Sequence, residues 1–161
     1  MDPMPVGAYS MRILDATCGA RMMWHDRRHP NTVYVDRRII PVGHPYRGRN
    51  RKDWEIRPDI CASFTALPFR DNSFDIVLWD PPHILQDSTR GIFPTMYGTL
   101  PTRGWEDVLR QGFDECYRVT RGAVHFKWND CRKPLKTILA LFPIKPLYRT
   151  KGSTTWSIFI K

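Results

Sequence analysis

Asp80-Pro81-Pro82-His83 is the stretch of this chain whose residue types are best suited to chemistry. Two consecutive prolines fix the backbone and remove two donors. The Asp80 carboxylate and the neighbouring carbonyls are therefore acceptors whose direction is set before any ligand arrives, which is how polar groups stabilise a reacting centre. His83 adds a planar imidazole. Upstream, Asp15 is followed four residues on by Gly19, a spacing that allows a tight turn and a close backbone approach at the carboxyl edge of a sheet. Asp36 ends the next apolar run, about 20 residues further on, where doubly wound folds place a carboxylate that accepts from ribose hydroxyls.

The elements that must position these residues alternate. Short β-rich apolar runs fall at 12–17, 32–36, 55–60, 74–79 and 123–128, with helical spacing at 20–26, 105–119 and 135–141. Such alternation predicts a parallel sheet with helices on both faces. The run at 74–79 is nearly continuous in hydrophobicity, as a central parallel strand should be. Pro58 places the run at 55–60 near an edge. The last two strands, 146–149 and 155–160, are joined through Lys151-Gly152-Ser153. No crossover helix fits there, so they form an antiparallel hairpin. The expectation is one α/β domain: a doubly wound, mostly parallel sheet finished by a hairpin. Residues 37–53 and 84–104 read as loops, the second long enough to be functional.

Three stretches in this order carry a resemblance: Leu14-Asp15-Ala16-Thr17-Cys18-Gly19-Ala20-Arg21; Val33-Tyr34-Val35-Asp36-Arg37; and Asp59-Ile60 with Leu67-Pro68-Phe69 and the strand into Asp80-Pro81-Pro82-His83. Together they resemble class I S-adenosylmethionine-dependent methyltransferases, and among them the small, phage-type, DNA-methylase-like members. The likeness runs from about residue 12 to the end. Asp80-Pro81-Pro82-His83 resembles the (Asp/Asn/Ser)-Pro-Pro-aromatic motif of enzymes that methylate adenine N6, cytosine N4 or a glutamine amide. The resemblance implies S-adenosyl-L-methionine as cofactor. Asp15 would hold its ammonium group, with Cys18 and Gly19 in the same turn. Asp36 and Arg37 would take the ribose, Asp59 the adenine amine, and Ile60 the ring face, with Asp80 at the donor end. Asp80 and the Pro81 carbonyl would accept both N–H bonds of the target amine, whose delocalised lone pair makes it a poor nucleophile until it is pyramidalised. Pro82 would stiffen the turn. His83 would stack on the target, where the motif carries Tyr, Phe or Trp.

The formal charge is +9, with 25 Lys and Arg against 16 Asp and Glu. This balance favours polyanions. The 37–52 segment holds Arg37, Arg38, Arg47, Arg49, Arg51 and Lys52 around His44 and Tyr46, a composition suited to phosphate contact. In 84–104 and just beyond, Phe93, Met96, Tyr97 and Trp105 are placed to close over a base, although Trp105 reads somewhat better as packing onto the core. Lys127 ends a strand at the functional edge. Met22, Met23 and Trp24 read as core. The four cysteines, Cys18, Cys61, Cys116 and Cys131, have no CxxC or zinc spacing and read as reduced cytosolic thiols. The histidines fit no metal pattern. No run approaches the roughly 18 apolar residues needed to span a membrane, and the first dozen residues do not form a signal peptide.

The function expected is methyl transfer to an exocyclic amine of a nucleic-acid base, adenine N6 in DNA first. One rival keeps the reaction and changes the target to RNA, a free nucleotide or a protein amide. The other is a non-catalytic nucleic-acid-binding partner subunit. With no room for a separate recognition domain, sequence specificity would need a homodimer, a partner or the two loops.

Overall fold

The computed structural model describes residues 10–43, 54–88 and 90–161. Seven strands form one mixed sheet: β1 Ile13–Asp15, β2 Thr32–Asp36, β3 Ile60–Cys61, β4 Phe74–Trp79, β5 Thr120–Asn129, β6 Tyr148–Arg149 and β7 Thr154–Ile160. Their order across the sheet is β3-β2-β1-β4-β5-β7-β6. The first five run parallel, whereas β7 is antiparallel to both β5 and β6. The expected C-terminal hairpin is therefore present.

Register explains which side chains meet. Val33, Leu14, Val77, Val124 and Phe159 lie in one row across five strands. Trp79 and Phe126 sit opposite each other two positions further along β4 and β5, and hence on the same face. Among the described residues three helices accompany the sheet: α1 Ile92–Tyr97, α2 Trp105–Val119 and α3 Leu135–Leu139. α2 buries Trp105, Leu109, Gly112, Phe113, Cys116 and Val119, one apolar stripe at helical spacing, and carries Glu106 and Asp107 in its first turn, where they favour the helix dipole. The stripe lies on the Trp79 face. A Cβ on Gly112 would come within 2.6 Å of Phe64 and 2.7 Å of Trp79, so helix and sheet approach at a distance only glycine allows. Phe142, just after α3, stacks on Phe113 at 4.4 Å and meets Trp79 and Phe126 on the same face.

The doubly wound sheet with helices on both faces does not hold. Among the described residues the helices are three, of six, fifteen and five residues, and none connects β1 to β2, β2 to β3 or β3 to β4. α2 and the α3 segment share one face. On the other face Ile76, Leu78 and His125 are only half-buried. The reason is local. The segment read as a helix at 20–26 has Arg21 in the left-handed region (φ 54°), two residues after Gly19 at φ 48°. A backbone set that way turns rather than winds. The β3–β4 connection contains Pro68 and a left-handed Asn72 (φ 56°). The strand read at 55–60 also shifts: Ile56 makes an isolated bridge to Ile40, and β3 proper begins only after Pro58. Residues read as a loop at 84–104 contain α1 and a Leu85–Leu100 bridge. Among the described residues, no helix is long and apolar enough to cross a membrane.

Candidate active site

β1 and β4 are neighbours, yet the chain proceeds from β1 towards β2 on one side and from β4 towards β5 on the other. The strand order reverses between them, which opens a crevice at their carboxyl ends. A cavity of about 480 Å³ lies there, within the size range of small-molecule sites. The turn after β1 and the Asp80-Pro81-Pro82-His83 turn after β4 both line it, joined by Lys127 from β5 and Tyr97 from α1. The structure thus brings together Cys18, Gly19, Asp80, Pro81, Pro82, His83, Tyr97 and Lys127 as the sequence predicts.

Asp80 is held from three sides. Its backbone N–H donates to Thr17 Oγ1 at 2.8 Å, which ties the β4 turn to the β1 turn. Lys127 Nζ donates to Asp80 Oδ2 at 2.6 Å. His83 Nε2 stands 3.2 Å from Asp80 Oδ1, near enough to attract but off hydrogen-bond geometry. Burial pulls the Asp80 carboxyl upward, but His83 and Lys127 outweigh it and hold its pKa below the ordinary carboxylate value. Asp80 Oδ1 and His83 Nδ1 are buried atoms with no hydrogen-bond partner among the described residues. Unsatisfied buried acceptors are expensive unless something is meant to meet them. The His83 ring is braced edge-on against Trp128 at 4.8 Å.

Asp15 is fully buried and does not line the cavity. Trp24 Nε1 donates to one of its oxygens at 2.7 Å and the Thr17 backbone N–H to the other at 3.1 Å. Burial raises its pKa to about 7. Its place here is to shape the turn. Burial also pushes the Cys18 thiol above its ordinary value, so it stays protonated.

Asp36 is buried and its oxygens are taken. Gly19 N–H donates to Oδ2 at 3.0 Å, and the Arg38 guanidinium forks onto the carboxylate with contacts of 2.9 and 2.8 Å. Arg38 also donates to the Thr95 carbonyl of α1 at 3.2 Å. It stands between the main cavity and a smaller hollow of about 30 Å³ lined by Asp36, Arg37 and Phe64. Arg37 itself reaches the Thr99 carbonyl at 3.4 Å.

Asp59 and Ile60 are not brought to the cavity. Asp59 accepts from Tyr34 N–H at 2.9 Å and pairs with Arg21 at 3.1 Å beside a separate hollow. Ile60 pairs with Val35 in the sheet. Arg47, Arg49 and Arg51 lie outside the described residues. Trp105 is core.

Met22 and Met23, which the sequence reading assigned to the core, are exposed on the cavity wall, and Arg38, one of the two arginines beside Asp36 that could pair with it, is its partner. The signal for Arg38 was its spacing of two from Asp36 at a strand end, which puts both on one face. α1 contributes Phe93, Met96 and Tyr97, with Phe93 and Tyr97 stacked at 6.4 Å. The cavity therefore has a carboxylate held ionised, a cation on it, and wide apolar walls.

A cationic group and a flat ring suit this lining: the Asp80 carboxylate supplies the counter-charge, and the methionine and aromatic side chains supply the faces. Among the described residues no three His, Cys, Asp or Glu side chains gather to hold a metal ion. No protein-family model matches the chain, and no curated protein matches its sequence.

Proposed function

We propose that this chain is an S-adenosylmethionine-dependent methyltransferase that acts on an exocyclic amine of a nucleic-acid base, with adenine N6 in DNA the first candidate. The observation that carries the reading is the meeting of the Asp80-Pro81-Pro82-His83 turn and the Gly19 turn across one cavity at the point where strand order reverses. The bound cofactor supplies an activated methyl group. The chain does the rest by position. Lys127 fixes one oxygen of Asp80; the other, buried 3.2 Å from His83 Nε2, accepts an N–H of the target when His83 moves to stack on it, while the Pro81 carbonyl accepts the second. Holding amine and methyl in line replaces a bimolecular encounter by a preset one, worth a large part of the rate. Phe93, Tyr97 and His83 supply flat surface for a base, which must leave a duplex or come from a single strand to enter.

Calorimetric titration with S-adenosylmethionine and S-adenosylhomocysteine tests the cofactor. Saturable one-site binding supports the reading and leads to a radiolabelled methyl-transfer screen over DNA, RNA and nucleotides. No binding at millimolar ligand removes it. RNA, a free nucleotide or a protein amide as target is separated by that screen and by salt dependence, steep only for a polyanion.

One observation favours a second reading, the non-catalytic nucleic-acid-binding subunit: Arg38 and Lys127 already neutralise the two carboxylates a cofactor and target would use. In that case the chain binds oligonucleotide and ignores the cofactor.

A further inference from the structure

A second hollow, larger than the first at about 740 Å³, opens beside β2. Its floor is Thr32 and Tyr34, and its walls carry Arg21, Arg27, Arg28 and Arg57, against Glu55 and Asp59.

These arginines are of two kinds. Arg21 is committed to the protein. Its guanidinium lies 3.7 Å from the centre of the Tyr34 ring, donates to the Arg27 and Arg57 carbonyls at 2.8 Å each, and pairs with Asp59. It thereby ties together the two segments that carry the other three. Arg27, Arg28 and Arg57 are exposed, and their side chains make no hydrogen bond or ion pair among the described residues. Once Arg21 and Asp59 cancel, three cations face one acid, Glu55. Lining a braced frame with more cations than acids is unfavourable unless an anion meets the excess. The hollow is broad and open, which suits an extended polyanion better than a small ligand. It adjoins the cavity, because Gly19 and Ala20 line both.

We infer that this hollow seats the phosphodiester backbone of a single-stranded nucleic acid, with Arg27, Arg28 and Arg57 on successive phosphates, so that a base of the same strand can enter the cavity over Gly19. The choice of a single strand and the last clause rest on the methyltransferase reading, whereas the phosphate seat does not. A single strand is the fit because the cavity takes only an unstacked base.

The test measures binding of a fluorescein-labelled oligodeoxythymidylate of about 20 nucleotides by anisotropy across a salt series. Thymine has no exocyclic amine, so this probe reads backbone contact and not acceptor chemistry. Each phosphate neutralised on a single strand contributes about 0.7 to the slope of log affinity against log salt. The triple variant Arg27→Gln, Arg28→Gln, Arg57→Gln should bind about tenfold or more weakly near 0.1 M salt and lose about 2 from that slope. Its affinity for S-adenosylmethionine should not change, since none of the three side chains touches the cavity. Unchanged oligonucleotide affinity and slope in the variant overturn the inference and leave the methyltransferase reading intact. Variant-sensitive binding in a protein that ignores the cofactor supports the phosphate seat and removes that reading. No binding by the wild-type chain, or preference for phosphatidylserine vesicles over the oligonucleotide, overturns the inference.

Discussion

Lys127 Nζ sits 2.6 Å from Asp80 Oδ2, so the carboxylate at the centre of the cavity meets any ligand already paired. The pair holds Oδ2 and helps keep the carboxyl ionised, while Oδ1 lies buried 3.2 Å from His83 Nε2. Asp80→Ala removes the acceptor and should reduce methyl transfer by about 100-fold or more, with S-adenosylmethionine affinity largely kept. Single-turnover rates beside calorimetry check this, and near-normal transfer would show that Asp80 does not orient the amine.

Lys127→Met leaves Asp80 with burial opposed by His83 alone. Asp80 has a lowered pKa, so its ionised form persists down through the ordinary carboxylate range. Removing the cation should raise that pKa. The acid limb of the kcat/KM profile should therefore move to higher pH in the variant. A limb that stays in place assigns the titration to another group.

Asp15 behaves in the opposite sense. Burial raises its pKa from 3.8 to about 7, so the folded chain keeps a proton that the unfolded chain releases. The stability from this group is complete below the ordinary carboxylate pKa and is lost as pH rises through 7, at up to about 1.4 kcal/mol per pH unit. Asp15→Asn titrates no proton and lacks this slope. The variant loses acceptor capacity towards Trp24 and Thr17 at every pH. Its melting temperature should nevertheless gain on the wild type as pH rises from about 5 to about 8. Parallel curves would place the carboxyl of Asp15 at an ordinary pKa.

Arg38→Met leaves the Asp36 carboxylate buried with only backbone donors. Stripping one member from a largely buried pair costs about 2–3 kcal/mol here, somewhat below the fully buried range because Arg38 is partly exposed. Adenosine, whose hydroxyls can take the freed oxygens, should recover more of the melting temperature in the variant than it adds to the wild type. Equal shifts would separate Asp36 from ribose recognition.

Gly112→Ala places a methyl group against Phe64 and Trp79 at distances no real Cβ tolerates. Overpacking of this kind costs about 1–3 kcal/mol, read as a lower denaturant midpoint. An unchanged midpoint would mean that α2 can lift from the sheet without loss.

Much of the frame was legible because its signals are local. β2, β4 and α2 have the bounds that their apolar runs predict, since continuous or helically spaced hydrophobicity leaves one structure to adopt. The Asp80 turn was legible from its prolines, and its neighbours Lys127 and Tyr97 from their position at strand end and loop. What failed depended on backbone sign and on partners. Nothing in Ala20 to Asp26 announces a left-handed Arg21, and without it the segment reads as a helix. Asp36 and Asp59 were read as ligand acceptors because spacing gives their place but not their company. Arg38 and Arg21 reach them through space and take those oxygens. Met22 and Met23 were assigned to the core on type alone, although their turn faces the cavity.

Helices gathered on one face also give the sheet a firm half and a loose half. β4, β5 and β7 run for six, ten and seven residues beneath the aromatic cluster, whereas β1, β2 and β3 run for three, five and two and are linked without helices among the described residues. Amide protons in β4 and β5 will exchange only on global opening, and those in β2 and β3 through smaller local excursions. The cavity has one wall in each half, the turn after β1 and the turn after β4. A ligand that grips both becomes a clasp between them, and its arrival will be written as slowed exchange in β2 while β5 stays as it was.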